Sequence, residues 1–96
     1  MSPEKQKKLN KLRNQLDKLD NSFIKLIKKR TLIVEKVLEL KVFKNQIVDK
    51  KRIKKILNNI KKKSLQNKID FKITKRIWLN MIWAFIDFEK RKFKKK

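Results

Sequence analysis

A residue on one apolar seam recurs every three or four positions through roughly the first forty residues, and only one place in it is not apolar. Leu9, Leu12, Leu16, Leu19, Phe23, Leu26, Ile33, Val37 and Leu40 follow one another at those spacings, with Arg30 taking one place in the series. This is the period of a heptad seam, and it predicts one long helix from about residue 4 to about residue 42. The chain has no glycine and its only proline is Pro3, so neither breaker type divides the segment. At about 1.5 Å per residue such a helix is roughly 58 Å long. A compact globule of this chain length has a radius of gyration of only about 13 Å. The rest of the 96 residues cannot cover that seam. It calls for a partner, most simply a second copy of the chain.

Beyond residue 42 the pattern breaks at FKNQIV (43–48) and resumes twice. A second amphipathic stretch, about 49–66, sets Ile53, Ile56, Leu57 and Ile60 on one face, with Asp49 suited to cap its start. NKID (67–70) reads as a loop that offers Asp70 as the next cap. The third stretch, about 71–92, is the most apolar: Ile73, Ile77, Trp78, Met81, Ile82, Trp83, Ala84, Phe85, Ile86 and Phe88 lie nearly all the way round, which predicts burial on several sides. No segment keeps a period of two. The expected fold is all-α: one domain over 1–96, three helices of unequal length, and a basic tail at 93–96.

Composition excludes several chemistries. Without histidine or cysteine there is no disulfide framework, cysteine nucleophile, Cys/His zinc site or Ser-His-Asp triad. Without glycine there is no Gly-rich loop to cradle phosphates. The opening MSPEKQKKLN lacks the apolar core of a secretory signal, and no run approaches the length of a membrane span, so a cytoplasmic location is expected. The net charge is +22, with 26 lysines. Drift toward AT-rich codons explains much of that; attraction of anions is the functional reading.

Four charged positions stand out because they sit on or beside apolar stripes. Arg30 occupies the seam itself, where a cation is costly unless paired; it can snorkel to the edge or present a fork to a carboxylate. Arg13 and Lys41 share a heptad line with Asp20, Ile27 and Val34, flanking the same seam. A buried cation that lacked an intramolecular partner would be strained, so Arg30→Ala and Lys41→Ala are expected to lose activity but little stability. Glu89 ends the stripe Trp78, Ile82, Phe85. It is either a carboxyl held against that stripe or an exposed acid pairing with Arg91 or Lys92.

Taken in order, these residues resemble the AroQ-type chorismate mutases. The run 12–41 is similar to that family's first helix: Leu12-Arg13, then Leu16-Asp17-Lys18-Leu19-Asp20, then Arg30, then Lys41 closing the helix. Asp49-Lys50-Lys51-Arg52 resembles the Asp-x-x-Arg that opens the second helix, and 68–89 resembles the third, which ends in a catalytic Gln or Glu, here Glu89. The resemblance implies three helices per subunit in an intertwined homodimer, no cofactor and no metal. It also implies a dicarboxylate substrate, chorismate, which rearranges to prephenate without a nucleophile or general base, in aromatic amino-acid biosynthesis. Arg13 from the partner subunit and Arg30 would bind the two carboxylates, while Asp49 and Arg52 would orient the hydroxyl. Lys41 and a protonated Glu89 would donate to the ether oxygen as its bond breaks.

Two positions depart from the family. Ile53 stands where a glutamate follows the Asp-x-x-Arg, and Phe85 where a small polar residue precedes the last catalytic residue by four. Both are similar to the isochorismate pyruvate lyases, which share the fold but resemble glutamine users at position 89. A non-enzymatic basic helical protein binding nucleic acid or an acidic partner is a third reading. It accounts for the charge but not for Arg30, Asp49 and Glu89, and no nucleic-acid motif accompanies it.

Overall fold

The computed structural model describes residues 1–94; Lys95 and Lys96, the end of the expected basic tail, lie outside the described residues. The chain is all-α. Helix α1 spans Pro3–Glu39, α2 Lys50–Gln66 and α3 Phe71–Lys92, with a single 3-10 turn at Lys44–Gln46 between α1 and α2. Two compact units divide it, one of residues 1–33 and one from Val34 onward.

The first unit is the N-terminal part of α1. Ser2 begins it: its hydroxyl accepts from the Lys5 amide at 3.3 Å, Pro3 takes the first helical position where no amide is needed, and Glu4 faces the positive end of the helix dipole. Along the heptad row, Leu12, Leu16, Leu19, Phe23, Leu26 and Ile33 are each more than half exposed. Within the chain this row is left open to water.

The second unit holds the core. Leu38, Ile47, Ile82 and Ile86 are buried, and Val48, Ile53, Ile56, Leu57 and Phe93 pack around them. Ile47, inside the stretch where the periodicity fails, is only 3% exposed. The helix expected to reach about residue 42 stops at Glu39. The amides of Leu40 and Lys41 turn back to Val37 O and Leu38 O, and those of Val42 and Phe43 go to the side chain of Gln46, so the backbone leaves the helical path. A second expectation is corrected on α3. One face is buried through Ile82, Ile86 and Glu89, but Ile73, Ile77, Trp83 and Ala84 are exposed, so within one chain this helix is not covered on several sides.

Helices α2 and α3 form a hairpin. Asp49 caps α2 by accepting from the Arg52 amide at 3.0 Å, and Asp70 caps α3 by accepting from Lys72 at 2.9 Å. Between them α2 ends in a Schellman turn: Lys68 N–H donates to Leu65 O and Ile69 N–H to Ser64 O. The position that demands left-handed backbone is Lys68, at φ 55°, because the chain has no glycine to put there. Ser64, 2% exposed, pins the hairpin closed; its hydroxyl donates to Ile60 O and lies 2.7 Å from that of Thr74.

Candidate active site

Glu89 lies on the buried face of α3, one helical turn beyond Ile86. The carboxylate stands near the negative end of its helix, where the dipole disfavours it, and its side chain is only 10% exposed. Burial of an ionised group there requires a partner. The partner is Lys41, whose Nζ donates to Glu89 Oε2 at 3.0 Å. Lys41 sits just past α1, so the pair joins residues 48 positions apart in sequence. The carboxyl is therefore held in the interior and does not depend on Arg91 or Lys92 for a counter-charge.

This geometry also corrects the expectation that Lys41 lacks a partner in its own chain. Replacing it leaves a buried carboxylate behind, which costs stability.

Asp49 and Arg52 meet at the start of α2, where one carboxylate oxygen of Asp49 is occupied by the Arg52 amide. Lys41, Gln46, Val48, Asp49, Lys50 and Lys51 line one open depression. The first turn of α2 contains no acid and carries Lys50, Lys51 and Arg52 at the positive end of the helix dipole, an arrangement that repels cations and favours anions. Arg13 and Arg30 belong to the other unit, both on α1. Arg30 is half-buried and Arg13 exposed. The helical rise separates them by roughly 25 Å, so one chain does not bring its two arginines together.

Gln46, Ile47, Ser64 and Thr74 carry structural tasks that periodicity does not reveal. Gln46 had one available signal: a connection without glycine or proline must satisfy its amides with a side chain, and FKNQIV offers a carboxamide.

A family model for chorismate mutase type II matches residues 12–90. The chain belongs to the chorismate mutase type II family. Among curated proteins and among solved structures no match reaches significance. Chorismate mutases of this family are all-α isomerases, and the substrate the family implies is chorismate. The matched range includes Arg13, Arg30, Lys41, Asp49, Arg52 and Glu89, together with the departures Ile53 and Phe85. No described helix of this chorismate mutase chain is long and apolar enough to cross a membrane.

Proposed function

We propose that the protein converts chorismate to prephenate in the cytoplasm, on the route to phenylalanine and tyrosine. In this reading it works as a homodimer. Each site combines Arg30, Lys41, Asp49, Arg52 and Glu89 of one chain with Arg13 of the partner subunit.

The observation that carries the reading is the Lys41–Glu89 pair, an ammonium and a carboxyl held within 3.0 Å in a largely buried setting. The rearrangement breaks an ether C–O bond and forms a C–C bond within one molecule, so the protein has no bond of its own to make. What it can supply is a compact substrate conformer and a donor where charge appears. Enzymes lower barriers by roughly 8 kcal/mol or more, and fixed donors in a water-poor site are the largest usual source. Lys41 donates to the ether oxygen as negative charge develops there. Glu89 in its protonated form donates to the same atom, whereas an ionised one would repel that charge.

The arginines support the two-chain arrangement. A dicarboxylate is far smaller than the roughly 25 Å between Arg13 and Arg30 on their own helix. An arginine from a second chain removes the difficulty, and the exposed row of α1 offers that chain a surface. Asp49 and Arg52, at the anion-favouring start of α2, are the residues proposed to orient the hydroxyl.

The test is to incubate the pure protein separately with chorismate and with isochorismate and to identify the products. Prephenate from chorismate, with no pyruvate released from isochorismate, is the expected result. Salicylate and pyruvate from isochorismate, with chorismate untouched, would overturn it in favour of a lyase. Two residues favour that second reading: Ile53, which packs against the core where a glutamate would offer a polar group, and Phe85, whose ring meets Phe88 edge-on at 6.4 Å.

A further inference from the structure

The geometry points to Gln46 as a positioning residue for Lys41. The ammonium of Lys41 is held by Glu89, but a donor is only as well placed as the backbone that carries it. That backbone lies in a connection, residues 40–49, with no glycine or proline to impose a turn. On its N-terminal side the Lys41 amide is fixed to Leu38 O at 3.0 Å. On its C-terminal side the next two amides, Val42 and Phe43, both donate to one atom, Gln46 Oε1, at 2.7 and 2.8 Å.

Gln46 is itself anchored. Its own amide donates back to Phe43 O at 3.0 Å, closing a reciprocal pair with Phe43, and its neighbour Ile47 is buried in the core. The chain of support runs from the core through Ile47 to Gln46, from its carboxamide to the amides at 42 and 43, and so to Lys41. Gln46 does for the main chain what Glu89 does for the ammonium. Removing its acceptor frees two amides next to the proposed donor and lets Lys41 move relative to the substrate. A displacement of about 1 Å at such a group can cost about a hundredfold in rate.

The inference rests on the proposed role of Lys41, and the experiment separates the two. Steady-state kinetics with chorismate are measured for Gln46→Met, Gln46→Glu, Lys41→Met and the double variant Gln46→Met/Lys41→Met, each checked for helicity by circular dichroism. Gln46→Met keeps the length of the side chain and loses the acceptor, so its kcat should fall between about tenfold and about a hundredfold with KM nearly unchanged. Gln46→Glu keeps the acceptor and adds a charge near a dianionic substrate, so the change should appear in KM while kcat stays within about threefold of wild type. The double variant should be no slower than Lys41→Met, because Gln46 acts through Lys41.

A folded Gln46→Met with wild-type kcat, beside an inactive Lys41→Met, overturns the inference and leaves the proposed function standing. An active Lys41→Met overturns both. If Gln46→Met fails to fold, Gln46→Glu decides: a folded Glu variant with wild-type kcat supports the acceptor role, and one as slow as Lys41→Met overturns it.

Discussion

The Lys41–Glu89 ion pair links the fold of this protein to its proposed site. Lys41 and Glu89 neutralise each other in a setting where either alone would be costly. Lys41→Met is therefore expected to lower unfolding free energy by roughly 1–3 kcal/mol in addition to abolishing turnover, read from urea titrations at fixed protein concentration. An unchanged midpoint would mean that the pair contributes nothing to the fold. Glu89→Gln tests the chemistry instead. Gln has the same shape, donates through its amide and cannot ionise, so this variant should keep kcat within about tenfold of wild type; a folded Gln variant with no activity would mean that the carboxylate itself is needed. The identity of both residues is legible in the sequence, since each sits on a stripe or heptad line where a charge is out of place. Their partnership is not, because 48 residues separate them and nothing in a periodic pattern specifies which helix end meets which loop.

The three helices are legible for the opposite reason: period and caps are local. Asp49 and Asp70 each announce a start within a few residues of the apolar pattern they introduce. The connections are less legible. Positions 43–48 show only the loss of a period, yet they contain the deeply buried Ile47, because a 3-10 turn directs one side chain inward without any repeat. The α2–α3 turn hides its left-handed position behind a lysine, where glycine would have marked it. That lysine gives a prediction at this scale. A non-glycine residue in left-handed backbone costs about 1–2 kcal/mol, part of which glycine returns through its larger unfolded-state freedom. Lys68→Gly should therefore stabilise the protein by about 1 kcal/mol and raise the melting temperature by about 4–8 °C at constant protein concentration. A lower melting temperature would show that the lysine side chain does something there that outweighs the strain.

At the scale of the whole molecule the length of α1 dominates. Its exposed row and its separated arginines are both legible in the sequence, as a seam too long for one chain and as two cations far apart along it. The exposure of α3 is not, because composition says that a helix is apolar and not what covers it. Sedimentation at micromolar concentration should find a dimer, and a folded monomer would defeat the two-chain site. A sharper check uses two dead variants. Arg13→Ala and Arg30→Ala should each be inactive alone, but refolded together at equal amounts they should regain roughly a quarter of wild-type activity. Random pairing makes about half the dimers mixed, and each mixed dimer has one intact site and one doubly damaged site. No recovery would mean that both arginines serve a site within one chain. The exposed row of α1 has a consequence for dosage as well. A reaction centre completed by a second chain exists only after two chains meet, so below the dissociation constant of the pair the number of working centres follows the square of chain concentration. Halving expression in that regime leaves about a quarter of the flux. If a second chain completes the site, a stripe of uncovered leucines makes a simple isomerisation sense how much of its own catalyst the cell has made.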